Sequence, residues 1–375
     1  MKAISFLALT VLISALLFFS LVPIVVDWKL NSVAKTSEIN VSDRARHLHQ
    51  ALIIGDWHAD SALWSRDLSL RNVRGHLDIP RMQEGNIAIQ MFTTVTRASS
   101  DSSYTSDGSE FRDDITMLAI AQRWPLATWK NLRERALFQA KKLNNLAQSN
   151  QKNFIIIRTQ KDLKEFLQMR QSNPTLVGGL IGTEGSHALN GKLDNVQYLF
   201  DHGFRMMSLH HFFDNALGAS LHGETQIGLT SFGRQALAKM QELDIIVDVA
   251  HSSEQVVRDV LAAAENPVIL SHTGLYGHCP SPRNISDQLM VDVAEAGGLI
   301  AVGYWDGAVC GNTPDKVAEA IAFGVQLLGE DHVSLGSDFD GSISTSFDAS
   351  ELVLLTQSLL NQGLSERQIR KVMGG

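Results

Sequence analysis

The run Ile245-Ile246-Val247-Asp248-Val249-Ala250-His251-Ser252-Ser253-Glu254 decides the fold. Ile245–Val249 is short, β-branched and bounded by polar residues, which reads as a strand. His251 stands at its end. Ser253 followed by Glu254 is a helix-start signal, and a helical pattern runs over Ser253–Ala264. A second strand, Val268–Ser271, follows and ends on His272. A strand, an ionisable residue and a helix thus recur as one beat.

Outward from this unit the beat repeats. Further strands are expected at Leu52–Gly55, Ile87–Thr93, Phe154–Ile157, Val177–Ile181, Phe204–Ser208, Leu299–Gly303 and Val333–Ser337. Helices are expected at Val196–His202, Ser231–Leu243, Gln288–Ala296 and Pro314–Leu328, with Ser231 as a plain cap and Thr313 before Pro314 as a start signal. Alternation of this kind argues for an α/β fold with a parallel sheet, a (β/α)8 TIM-like barrel. Phe154–Ile157 is the surplus strand, beside an insertion around residues 95–150. That insertion opens with the polar tract Ala98–Glu110, a loop or lid, and continues in a long helix from about Arg112 to Leu146. An open doubly wound sheet is the alternative, but no Gly-rich phosphate loop follows the first strand.

With 375 residues, 44% of them hydrophobic, the chain can fill a core, and its net charge of −8 excludes a chain-wide basic field for nucleic acid. Cys279 and Cys310 cannot make a thiolate zinc site; two buried free thiols are expected, with one bridge as the alternative. Thirteen His make nitrogen and oxygen the available metal ligands.

Ile4–Val26 carries no charge and as a helix would be about 34 Å long, enough for a bilayer core. It is longer than the apolar part of a cleaved signal, and the possible cleavage site Ser32-Val33-Ala34 lies far downstream. Residues 1–30 are therefore expected to form a transmembrane anchor, with a signal segment as the alternative. Residues 31–50 are expected to be a linker and residues 51–375 the barrel domain. The catalytic part would lie outside the cytoplasm, as in a bacterial inner-membrane protein facing the periplasm.

The ionisable residues fall at strand ends: His58 and Asp60, Glu184, His210 and His211, His251, His272, Asp338 and Asp340. In a barrel these points share the catalytic rim. Each alone has an ordinary explanation as a loop hydrogen bond, a helix-start carboxylate or a turn; their coincidence on one rim is what argues for a site. Imidazole with carboxylate and no thiolate suits zinc, and five such ligands suit two ions sharing one carboxylate. Metal-assisted hydrolysis follows as the reaction class.

From about Ile54 onward these segments resemble the membrane dipeptidase (renal dipeptidase) family of zinc metallopeptidases, a branch of the amidohydrolase-like barrels. The resemblance rests on Asp56–Asp60, His76–Pro80, Thr183–His187, Gly228–Thr230, Val247–Ser252, Leu270–His272, Arg283-Asn284 and Gly336–Gly341. It implies two Zn2+ per chain: His58 and Asp60 on one, His251 and His272 on the other, Glu184 bridging. A hydroxide held between the ions would attack the peptide bond of a dipeptide, whose second residue could be a D-residue. His211 would steady the oxyanion, with His210 as its competitor; Arg283 would grip the terminal carboxylate, and Asp338 would meet the amino group and handle protons. His76 and His187 are read as structural. Trp57 and Ala59 stand where the family commonly has Gly and Asn, which bears on pocket shape, and family members run on through another helix. Homodimers occur among relatives. The alternatives are a related barrel amidohydrolase acting on N-acyl amino acids, lactones or phosphoesters, and a membrane-tethered binding protein without catalysis.

Overall fold

Nine strands share one parallel sheet in this computed structural model, which describes residues 2–35, 39–106 and 112–374. Eight of them follow one another around a ring: β1 (Ile54–Ala59), β2 (Ile87–Val95), β4 (Val177–Glu184), β5 (Phe204–Ser208), β6 (Ile246–Asp248), β7 (Ile269–Thr273), β8 (Leu299–Val302) and β9 (Val333–Leu335). β3 (Phe154–Ile156) pairs with β4 off this path and is the surplus strand beside the insertion. The ring closes through a bridge between Ala59 and Phe339, where Asp60 N donates to Phe339 O at 2.9 Å and Asp338 N to His58 O at 3.2 Å.

Met91, Met206 and Ile269 pack with Trp57, Leu180, Ile246 and Leu299. Each comes from a different strand, so they can meet only inside the ring. Met91 is level with Leu180, Met206 with Ile246 and Ile269 with Leu299, which makes them a filled layer beneath the rim. Fully burying a side chain such as Met91, Met206 or Ile269 stabilises by roughly 1.5–3 kcal/mol, so the barrel floor is filled and the rim is the place for a site.

The outer helices start and stop close to the expected places, with Pro314–Leu328 unchanged. Ser253 and Thr313 are N-caps, each accepting from a backbone N–H three residues on. Ser231 is not a cap: Thr230 is, its hydroxyl accepting from Gly233 N at 2.9 Å. The long helix expected over Arg112–Leu146 is broken into Asp114–Ala121 and Leu132–Ser149, with a 3-10 turn at Leu126–Trp129 between them. Pro125 lacks an N–H and disfavours helical backbone before it, and Arg123 takes a φ of 58°. Asn131 then caps the second helix, and buried Arg135 ties the pieces together through Thr128 O, Thr96 O and Asp113. Of the polar tract Ala98–Glu110, residues 107–110 lie outside the described residues.

Two expectations need further correction. Cys279 and Cys310 are disulfide-bonded, not free thiols, because the loops after β7 and β8 bring them together across the rim. Within the 31–50 segment expected as a linker, Asp43–Gln50 is a helix capped by Ser42, with Leu48 and His49 buried. Its apolar face, too short to register as a pattern, packs against the barrel's last helices. The N-terminal helix spans Lys2–Leu30, and its Ile4–Leu30 part, whose most apolar 18 residues have a mean hydropathy of 2.7, is long and apolar enough to cross a membrane.

Candidate metal centre and substrate pocket

Two strands bend where they deliver a histidine. The β1–β2 register shifts between Asp56 and Ala59, and the β7–β8 register between Leu270 and Thr273. Side chains alternate along a regular strand, so Trp57 and Ile269 facing the barrel interior would turn His58 outward and mis-aim His272. An irregularity at each point re-aims them. Glu184 needs none, being four residues beyond inward-facing Leu180 on β4. His251 and Asp338 reach inward from left-handed backbone, with φ of 61° and 59°.

These side chains converge on one oxygen. Glu184 Oε1 lies 3.5 Å from His58 Nε2, 3.4 Å from His211 Nε2, 3.6 Å from His251 Nε2 and 3.4 Å from His272 Nε2. His58 Nε2 is also 3.7 Å from Asp60 Oδ1 and 4.0 Å from Asp338 Oδ1, while the Nε2 atoms of His251 and His272 are 2.9 Å apart. All these side chains are buried. Among the subsets with ligand atoms close enough to share an ion are His58, Asp60 and Glu184; Glu184, His211 and His251; His58, His272 and Asp338; and Glu184, His251 and His272.

A second layer fixes which nitrogen faces the centre. Ser271 Oγ donates to Asp248 Oδ2 at 2.7 Å, which leaves its lone pairs for His58 Nδ1 at 3.0 Å and His272 Nδ1 at 2.9 Å. Both imidazoles then carry their proton on Nδ1 and present a bare Nε2. His251 Nδ1 is held at 2.9 Å by His222 Nε2, and Thr93 Oγ1 donates to Asp60 Oδ1 at 2.6 Å. Sequence alone assigns no role to Ser271, Asp248, His222 or Thr93. Ser271 and Asp248 adjoin ligand candidates in the chain and were open to notice; His222 and Thr93 come close only through folding.

The charges ask for cations. Asp60, Glu184 and Asp338 place three carboxylates in one buried volume. Burial alone would lower the His58 imidazolium, yet Asp60 and Glu184 outweigh it and hold its pKa well above the ordinary value. A proton there supplies positive charge that the carboxylates lack. Burial, then the Arg283 and imidazole charges around it, keeps His251 well below its usual value; burial and His58 do the same for His272. Burial would raise Glu184, but His211 and His58 pull it down to about 2. Burial pushes the Asp338 carboxyl well above the ordinary range, with Asp60 and Glu184 adding to it. Neutral His251 and His272, an ionised central carboxylate and the unpartnered His58 Nε2, whose extra proton a cation would displace, fit divalent metal held by nitrogen and oxygen.

The remaining candidates separate cleanly. His211 faces Glu184 and its Nδ1 meets Arg97 O at 3.2 Å, whereas His210 turns to Ser252 and takes no part in the cluster. His76 bonds Ser32 O and Asp340 N, and Asp340 is committed to Arg66, Ser61 and His76. His187 is buried against Phe213, and burial lowers its pKa to about 3. Buried Arg283 donates to His272 O at 2.6 Å and lies 5.5 Å from the Trp305 ring. Tyr104, from the polar insertion tract, crosses the rim to this wall: its hydroxyl accepts from Trp305 Nε1 at 2.7 Å and its carbonyl from His222 Nδ1 at 3.1 Å. Gly307 allows the crossing, since a Cβ there would stand 2.4 Å from the Tyr104 ring. The tract is thus a strap over the candidate pocket.

The model of the membrane dipeptidase family, peptidase family M19, matches residues 42–375. A dipeptidase of Aspergillus oryzae, aclJ, is 31% identical over 217 residues, which are 54% of this chain and 50% of that protein; the chain thus spans about half the length of this curated relative. Among solved structures, a metallo peptidase from Rhodobacter sphaeroides, liganded with a phosphinate mimic of the dipeptide L-Ala-D-Ala, superposes with a TM-score of 0.70 at 24% identity, covering 86% of this chain and 96% of that one. The probable dipeptidase PvdM from Pseudomonas aeruginosa gives a TM-score of 0.71 at 17% identity, covering 88% and 95%. At these identities the two structures bear on the fold.

Proposed function

The chain belongs to the membrane dipeptidase family of metallopeptidases, and from that premise we propose that it is a zinc-dependent dipeptidase. The observation that carries the reading is the position of Glu184 Oε1, within 3.4–3.6 Å of four imidazole nitrogens from four strand ends. His58 and Asp60 would hold one ion, His251 and His272 the other, and Glu184 both. Bound zinc supplies a water made nucleophilic at neutral pH and an electrophile for the scissile carbonyl.

The protein's own groups do the rest. Arg283 offers a planar fork of N–H donors, which suits the free carboxylate of a dipeptide. His211 Nε2 faces the place where negative charge develops on the carbonyl oxygen, a stabilisation commonly worth several kcal/mol. Asp338, whose Oδ1 lies 4.0 Å from His58 Nε2, takes the proton of the attacking water and returns it to the leaving amine. The peptide C–N bond breaks, one water is consumed, and two amino acids leave. A D-residue at the second position is an expected substrate feature, supported by the mimic bound to the Rhodobacter protein. The Cys279–Cys310 bridge supports a catalytic part outside the cytoplasm, where disulfides persist.

The test is metal content of the purified full-length chain, coupled to hydrolysis of L-Ala-D-Ala and L-Ala-L-Ala with and without chelator. The reading expects two zinc per chain and turnover that chelation removes. A metal-loaded protein that cleaves N-acyl amino acids or lactones but neither dipeptide would replace it with the amidohydrolase alternative.

A further inference from the structure

The N-terminal helix is docked at the catalytic end of the barrel. Asp27, in its last turn, is fully buried, with Oδ2 3.1 Å from Arg66 Nε and 2.7 Å from Arg74 Nε. Arg66 and Arg74 follow β1. Arg66 also pairs with Asp340 at 2.8 Å, two residues from Asp338. Asn31 donates to Asp27 at 2.9 Å and accepts from Ser342 N at 3.0 Å. Higher up, Val26 packs with Leu63, Trp64 and Ile115, and the Arg123 guanidinium lies 5.3 Å from the Phe19 ring. Phe19, Pro23, Val26 with Asp27, and Asn31 recur every three to four residues and mark one helix face against the rim. Removing this turn would strip a buried carboxylate from two arginines and leave their charges uncompensated.

The opposite face of the same turns is apolar and bare. Leu21, Ile24, Val25 and Trp28 are 49%, 44%, 53% and 66% exposed. Val73, which lines a cleft with Val25 and Trp28 beside the cations Lys29, Lys35 and Arg74, is 96% exposed, and Leu126 of the insertion is 74% exposed. Length says what covers them. The undocked part, Ile4–Phe18, spans only about 22 Å at 1.5 Å per residue, against a hydrocarbon core of about 30 Å. The uncharged stretch fills that core only if its docked half enters the bilayer too, which brings the rim to the lipid surface.

We propose that the N-terminal helix is a retained anchor that seats the catalytic rim of the barrel on a lipid bilayer, with the outer face of Leu21–Trp28 and the flanking Val73 and Leu126 in contact with lipid. The candidate pocket then opens close to the membrane surface.

The experiment uses the full-length chain in phosphatidylcholine nanodiscs containing doxyl-labelled phosphatidylcholine. An environment-sensitive fluorophore is placed on Val73→Cys, Leu126→Cys or, as control, Asn266→Cys, which precedes β7 at the opposite rim. Quenching at Val73 and Leu126 at least threefold that at Asn266 is expected. Equal quenching at all three positions, or none at Val73 and Leu126 because a second copy covers them, overturns the proposal. Intact mass of the membrane-extracted protein is the second measurement: it should include Asp27, and a chain beginning after Asn31 overturns the proposal as well. Neither readout depends on dipeptide hydrolysis.

Discussion

His222 Nε2 lies 2.9 Å from His251 Nδ1, and His222 Nδ1 in turn meets the carbonyl of Tyr104 at 3.1 Å. The chain of bonds fixes the proton of His251 on Nδ1 and leaves Nε2 for a metal. It also links the candidate metal centre to the strap, so strap position and the orientation of His251 are coupled. Replacing His222 by Ala removes the orienting partner without touching a ligand. Outer partners of this kind typically change metal affinity 10–100-fold. We expect a loss of that size in a chelator-competition titration; unchanged affinity would show that His222 orients nothing.

Glu184→Gln keeps the size of the side chain but removes the charge at the centre of four imidazoles. Turnover should vanish and bound zinc should fall below two per chain by elemental analysis. A variant with full activity and both metals would rule out the bridging assignment.

Arg283→Lys keeps a positive charge but loses the fork. KM for a dipeptide should rise at least tenfold with a smaller change in kcat, because a point charge binds a carboxylate less specifically than a guanidinium. Steady-state kinetics separates the two constants, and an unchanged KM would place the substrate carboxylate elsewhere.

The Cys279–Cys310 bridge joins two rim loops, 31 residues apart in sequence, and Asn284 next to Arg283 donates to Cys279 O at 3.0 Å and Ala308 O at 2.9 Å. The loop-closure argument gives the bridge about 3–4 kcal/mol as an upper figure. Cys279→Ser with Cys310→Ser should lower Tm by several degrees in calorimetry and raise KM, since the Arg283 loop loosens. A lower Tm with an unaltered KM would confine the bridge to stability.

His49 is buried between Thr356 Oγ1 at 2.8 Å and Gly85 O at 3.0 Å, and burial lowers its pKa to about 4 from 6.5. Between those values the unfolded chain binds the extra proton and the folded one does not. Stability is therefore complete above pH 6.5 and declines as pH falls towards 4, by up to roughly 3 kcal/mol from this group. Buried His210, also lowered to about 4, acts in the same direction. Urea midpoints across pH 4–7 should fall with acidification, and less steeply in His49→Gln. An equal slope in that variant would assign the acid sensitivity to other histidines.

The sequence by itself determined the barrel, because Ile245–Val249 with His251 and Val268–Ser271 with His272 repeat a period that only parallel strands with covering helices satisfy. It also put the ionisable residues at strand ends, since those positions are local. Tertiary structure alone decided the rest. The registers of β1 and β7 turned His58 and His272 inward, and a turn in the β5–β6 connection carried His222 to His251. Folding across the rim brought Cys279 to Cys310. It also brought the end of the N-terminal helix to Arg66, where Asp27 found a partner 39 residues away that hydropathy cannot reveal. Periodicity reports which face of an element is buried; which distant groups share that burial depends on loop paths and strand registers, and those are set by packing of the whole chain.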